Sequence, residues 1–197
     1  MSKRLVSPAR ALWLGLCLLP ALASAQSTPL LSPSGDWSEF DVDELLAPAD
    51  APLGWIALDG SPLMFSFTLV GEAVLRVVDA GLPGDTFRVL VNGAAQDTSA
   101  VPATDYASAI NANIGTDFAA AWADGGQHFS RLALTLGPGS YAVSGLLVQS
   151  VGLDGLPLNA TVGAVSLTPV PEPASVATLL TGLLLITTVL RGRGRRK

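Results

Sequence analysis

Asp79 and Asp85 are separated by Ala-Gly-Leu-Pro-Gly, a spacing that could do chemistry because tight turns would gather their carboxylates with nearby carbonyl oxygens. Calcium takes hard oxygen ligands of this kind from flexible loops. The spacing matches no EF-hand, and aspartate also serves turns by bonding to its own backbone neighbours. A structural turn is therefore the competing reading, and calcium on Asp79 and Asp85 is the one cofactor these residues suggest.

Other catalytic constellations are hard to assemble. The single histidine, His128, lies two residues before Ser130, but the chain has no Gly-x-Ser-x-Gly elbow, and a neighbouring serine does not make a triad. His128 reads as a surface or capping residue. Gly137-Pro-Gly139-Ser-Tyr-Ala142 has the glycines of a dinucleotide fingerprint, yet it joins two strand-like runs and lacks the helix whose N-terminus would hold phosphate. It reads as a turn. A glycosidase needs two carboxylates at a set separation, which is a tertiary property, and no pair stands out in the sequence. Asn159-Ala160-Thr161 has the form of a glycosylation sequon.

The elements that must position these residues read as strands. Leu63 to Val70 alternates with period two, and Ala73 to Asp79 follows Gly71 as the second arm of a short hairpin would. Thr86 to Val91 runs into Asn92-Gly93, a strong hairpin signal because both central residues of a type I′ turn need positive φ. Arg131 to Leu136, Tyr141 to Val151 and Thr161 to Leu167 form a second β-rich group, separated by Gly137-Pro138-Gly139 and by Gly152 to Pro157. Repeated short strands without a long amphipathic helix predict an all-β fold, an antiparallel β-sandwich or jelly roll.

An alanine-rich insertion spans 94–127. Within it Thr116 or Asp117 would cap a short helix from Phe118 to Ala123, ended by Gly125, with Trp122 tucked beneath. The head, 26–51, reads as a loose lead-in with one strand around Trp37 to Val42. The stretch 26–169 is expected to form one domain.

Charge is sharply partitioned. Of eleven Lys and Arg residues only Arg76, Arg88 and Arg131 lie between Gln26 and Val170, against fifteen of the sixteen acids, so the body carries a net −12. Such a body repels nucleic acid and anionic polymers unless divalent cations bridge them. The plain reading of the charge is a solvated surface.

Both ends read as addresses. Lys3, Arg4 and Arg10 precede an apolar core from Ala11 to Leu22, and Ala23-Ser-Ala25 then offers signal peptidase a small-residue site before Gln26. Residues 1–25 are thus expected to be a signal peptide, and the single cysteine, Cys17, would leave with it. At the other end Val170-Pro171-Glu172-Pro173 leads into a run from Ala174 to Leu190, followed by Arg191, Arg193, Arg195, Arg196 and Lys197. Seventeen helical residues at about 1.5 Å each span roughly 25 Å, the short end of a transmembrane helix. The basic residues beyond it would hold that end in the cytoplasm.

In this order the segment 170–197 resembles the PEP-CTERM sorting signal of Gram-negative bacteria. The resemblance implies recognition by exosortase, a stay in the inner membrane as precursor, and then display on the cell surface or in the extracellular matrix. An ordinary single-pass anchor is the alternative. Within the body, Phe67-Thr-Leu69, Val77-Val-Asp79-Ala-Gly81-Leu-Pro-Gly84-Asp85-Thr-Phe87, Asn92-Gly93, Phe129-Ser130 and Leu136-Gly-Pro-Gly139-Ser-Tyr141 look similar to ectodomains attached to this signal. They also resemble jelly-roll domains appended to secreted peptidases.

Two functions follow as expectations. One is a non-catalytic surface or biofilm matrix protein associated with extracellular polysaccharide, as the sorting resemblance implies. The other is a secreted hydrolase acting on polysaccharide through carboxylates left unpaired by the sequence. Carboxylates gathered in a deep cleft would favour the enzyme, and exposed aromatics such as Trp37 or Trp55 would favour binding.

Overall fold

Strict alternation of inward apolar and outward polar side chains shapes most of the strands in the computed structural model, which describes residues 26–47 and 52–171. The signal peptide reading, Glu172, Pro173, the apolar run and the basic end all fall outside the described residues. Among the described residues no helix is long and apolar enough to cross a membrane.

In chain order the strands are β1 (Trp37–Asp43), β2 (Phe65–Leu69), β3 (Ala73–Ala80), β4 (Thr86–Val91) and β5 (Ala94–Asp97). Two short helices follow, α1 (Tyr106–Ala109) and α2 (Phe118–Ala123), with a 3-10 turn at Ile110–Ala112 between them. Then come β6 (Arg131–Leu136), β7 (Gly139–Gln149), β8 (Gly152–Leu153), β9 (Leu156–Pro157) and β10 (Ala160–Pro169). Two four-stranded antiparallel sheets, β1-β10-β3-β6 and β2-β7-β4-β5, face each other, and β8-β9 forms a small separate hairpin. This is the all-β sandwich that the alternation predicts.

The space between the sheets is filled by the inward rows. Phe40 and Val42, Leu75 and Val77, Phe87 and Val89, and Val165 and Leu167 are all buried there. Phe40 stacks on Trp55 at 3.9 Å between centroids and meets Phe87 edge-on at 5.1 Å. Two glycines make room for these rings. A Cβ at Gly145 would lie 2.7 Å from Trp55 Nε1, and one at Gly163 would strike Phe40 and lie 2.8 Å from the Val78 carbonyl. The C-terminal half of β3 is buried on its outer face as well, because Val78 and Ala80 pack with Ala164 against Phe118 and Ala121 of α2.

Several expectations need correction. β2 and β3 do not form a hairpin: β2 pairs with β7, β3 pairs with β10 and β6, and the chain crosses from one sheet to the other at Gly71. The insertion starts later than Ala94, since Ala94–Asp97 is a strand paired with β4 around the Asn92-Gly93 turn. Those two residues do have positive φ, at 49° and 82°. Gly152 to Pro157, which separates two of the expected strands, itself forms the hairpin β8-β9. The head is less loose than expected, because Leu31 is buried and its N–H donates to the Ser66 carbonyl at 2.9 Å. Within the helical segment Asp117 is the residue that caps α2, accepting from the Ala120 N–H at 3.0 Å.

Candidate functional site

The candidate residues collect at one pole of the sandwich, where β3 ends and β10 begins. Asp79 continues the inward row of Leu75 and Val77, so its carboxyl enters the protein rather than a solvent loop, and both it and Asp85 are buried. Opposite Asp79 in the ladder is Gly163, and the Asp79 N–H donates to the Ser130 carbonyl at 2.8 Å. The chain then turns back through Gly81 and Gly84, at φ 71° and 121°. A Cβ at Gly84 would lie 2.9 Å from Thr104 Cγ2.

Asp85 is held from across the pole. Its Oδ1 accepts from the Val151 N–H at 2.8 Å, just beyond a bulge where β7 slips one residue against β4 between Thr86 and Phe87. The bulge moves the end of β7 over the turn, so that Gln149 Nε2 donates to the Gly84 carbonyl at 2.7 Å. The Thr161 hydroxyl faces the Asp85 carboxyl without closing a hydrogen bond of good geometry. Burial raises Asp85 from the ordinary carboxylate range to about 6, and the groups from Thr161 and Val151 hold back part of that rise.

Asp79 is more extreme. Burial pushes its pKa well above the ordinary range, the neighbouring charge of Asp85 adds to the rise, and the N–H groups of Asp85, Ala80 and Ser130 oppose it. Among the described residues neither carboxyl oxygen finds a partner for a hydrogen bond of good geometry. An ionised carboxylate so placed is costly, so the group favours its neutral acid form. The structure thus brings the two expected residues together and makes them a buried acid pair. Calcium asks for six to eight oxygens. Among the described residues no three His, Cys, Asp or Glu side chains gather to hold a metal, and the peptide groups facing Asp79 are N–H donors.

Beside this pair lies an open groove of about 470 Å³, lined among others by Asp41, Asp43, Ile56, Leu58, Asn113 and Thr161. Glu39, Asp41 and Asp43 alternate along β1, so all three project from its outward face. Burial and then the Asp41 charge raise Glu39, while burial and then the Asp43 charge raise Asp41. Glu39 lines a second hollow that shares Ala57 and Leu58 with the first. This acidic row was missed in the sequence, although Glu-x-Asp-x-Asp inside one strand is the signal that finds it.

The remaining candidates have structural roles. Trp55 is only 2% exposed and stacked in the core, so it is not the exposed aromatic expected for binding. Trp37 is half-buried on the outer face, 5.9 Å from Trp122 between ring centroids, with the Arg76 guanidinium 4.8 Å above Trp37 and that of Arg131 5.1 Å from Trp122. These contacts seat α2 on the sheet. His128 is exposed, with Nδ1 2.8 Å from Asp124 Oδ1. The Asp124 carboxylate also accepts from the N–H groups of Gln127 and His128 at 2.8 and 2.7 Å. Burial works against its ionisation, but these hydrogen bonds prevail and lower it to about 2. The cluster closes the turn after α2.

The fold and site together define an antiparallel β-sandwich with a buried acid pair and an acid-lined groove at one pole. No protein-family model and no curated protein matches the chain. Among solved structures it is similar to the pre-peptidase C-terminal domain of a collagenase from Bacillus anthracis, at 10% identity over 75% of this chain and 99% of that one, with a TM-score of 0.35. A likeness that loose carries no functional argument, and the fold class rests on the strand pairing itself.

Proposed function

We propose that this is an exported, non-catalytic surface protein, sorted through its PEP-CTERM-like end by exosortase, whose acidic groove engages extracellular polysaccharide. One observation carries the reading: the polarity of β10. Its first residues flank the groove, while its last residue pairs with Ala73 and leads directly to Val170 and Pro171, with the Val170 N–H bonded to the Glu72 carbonyl at 2.9 Å. Ten strand residues place the two poles about 30 Å apart. A domain held by its C-terminal end would therefore present the groove outward. Carboxylates and the Asn113 amide are the groups that hydrogen-bond sugar hydroxyls, and divalent cations would link the same acids to anionic polymers.

Affinity electrophoresis through gels containing extracellular polysaccharide tests the binding. Retardation of the protein that is lost in Asp41→Asn/Asp43→Asn supports the proposal, whereas equal mobility with and without polysaccharide sinks it. Mass spectrometry of the surface form tests the sorting. A mature protein beginning at Gln26 and lacking peptides beyond Pro171-Glu172-Pro173 is expected, and retention of Thr187 to Arg191 would mark a plain anchor.

A second reading, the polysaccharide hydrolase, draws on the raised carboxyls of Glu39 and Asp41 on one strand face. A glycosidase needs one protonated and one ionised carboxyl flanking the bond. Release of reducing ends from polysaccharide, lost in Glu39→Gln and in Asp41→Asn, would favour it over binding alone.

A further inference from the structure

Of the sandwich's four outer strand edges, two are covered. The edge of β1 is bridged by Ile56, whose N–H and carbonyl both bond to Asp41, at 2.8 and 3.0 Å. The edge of β2 is covered by the head, through Leu31 to Ser66 at 2.9 Å and Ser66 to Pro29 at 3.1 Å. On the opposite flank β5 is four residues long, with every side chain exposed and Asp97 in an ion pair with Arg88. β6 differs from all three.

β6 reads Arg-Leu-Ala-Leu-Thr-Leu. Its backbone orientation is fixed at one end, where the Ser99 N–H donates to the Arg131 carbonyl at 2.8 Å and the Arg131 N–H donates to Ser99 Oγ at 3.1 Å. Arg131 thus turns its peptide groups away from β3. Alternation along an antiparallel strand makes Ala133 and Thr135 do the same, while Leu132, Leu134 and Leu136 bond to β3. Among the described residues nothing accepts from or donates to the outward peptide groups of Ala133 and Thr135. Leu132, Leu134 and Leu136 reach the main core only partly buried. No proline, bulge or acid interrupts this edge, although such devices ordinarily prevent edge pairing.

We infer that β6 is a self-association edge, pairing antiparallel with β6 of a second copy to join two four-stranded sheets into one. The two-fold axis passes at Leu134. Ala133 then faces Thr135 of the other copy, and each of the two such pairs exchanges two hydrogen bonds, which satisfies all four free peptide groups on each strand. Leu134 meets its own symmetry mate at a close, non-hydrogen-bonded position, and Leu132 meets Leu136, so the partly open flank of each core is closed. Charge does not draw two copies together, but it leaves this edge as the place where they repel least. A body of net −12 repels itself over most of its surface, whereas Arg131 to Gly139 contains no carboxylate. Screening the remaining repulsion with salt should therefore promote the dimer.

Sedimentation equilibrium of the full-length chain in mild detergent with reductant tests this, at low salt and at about 0.5 M salt, where screening has shortened the Debye length several-fold. The expected result is a concentration-dependent dimer favoured by salt. Ala133→Pro should return the chain to monomer, because proline there removes an N–H that has no partner among the described residues. Thr135→Lys should do the same through charge, and an unchanged far-ultraviolet circular dichroism spectrum would show that each variant is folded. A wild type that is monomeric in both salts would overturn the inference. So would an association that survives both substitutions, which would place the contact elsewhere, including the terminal apolar run.

Discussion

Replacing Asp85 with asparagine should stabilise the protein at neutral and alkaline pH. The folded carboxyl sits at about 6 against an ordinary value of 3.8, so the native state binds its proton more tightly than the unfolded chain does. The stability this contributes is fully present below pH 3.8 and is lost as pH rises through 6. With each pKa unit worth about 1.4 kcal/mol, a rise from 3.8 to about 6 makes the loss about 3 kcal/mol by pH 8. Asparagine keeps an Oδ1 acceptor for the Val151 N–H and offers an amide donor toward the Thr161 hydroxyl, with no charge to bury. For a body of this size, 3 kcal/mol corresponds to roughly 6 to 12 °C in melting temperature. Calorimetric scans of wild type and variant at pH 4, 5, 6, 7 and 8 should show curves that nearly coincide at pH 4 and separate steadily above pH 5. Lowered groups such as Asp124 titrate below this window and cancel in the difference. A wild type no less stable at pH 8 than at pH 5, or a variant advantage equal at pH 4 and pH 8, would refute the reasoning. Millimolar calcium provides a further arm. If it raises the wild-type melting temperature at pH 8 but leaves Asp85→Asn unmoved, a cation rather than a proton neutralises the pair.

Gly145→Ala should cost about 3 kcal/mol in urea unfolding, since its Cβ would enter the indole of Trp55, and a cost under about 0.5 kcal/mol would show that the ring has room to move. Trp122→Ala should loosen α2 and cost about 2 kcal/mol, less than a fully buried tryptophan because the ring is only partly buried, with the helix becoming the first site of limited proteolysis. Asn92→Ala should cost about 1 to 2 kcal/mol, because alanine resists the positive φ of the β4-β5 turn and the bonds to Ser140 and Ala142 are lost. Amide exchange should then quicken in β5 before it does in β4.

The strands were legible because their evidence is local. Phe65, Phe67 and Leu69 alternate with polar residues, Asn92-Gly93 supplies positive φ, and Asp117 caps α2 whatever surrounds it. β5 was not legible, since Ala-Ala-Gln-Asp has little strand preference and becomes a strand because the turn lays it along β4. The acidic row of β1 was readable in principle, as alternation puts Glu39, Asp41 and Asp43 on one face once Trp37–Asp43 is taken as a strand.

By itself the sequence determined the β class, the acid partition of the body and the order of apolar and basic runs at its two ends, because periodicity, charge and motif order are properties of the chain. Pairing belongs to the tertiary structure. Gly71 allows the chain either to fold back as a hairpin or to cross between sheets, and the choice was made by the apolar rows that β2 and β3 must bury against different partners. The fate of Asp79 and Asp85 was decided in the same way. Five intervening residues make them neighbours in a turn, but only the inward pleat of β3, the bulge of β7 and the arrival of Val151 take them out of water, and their removal from water is what raises their pKa values.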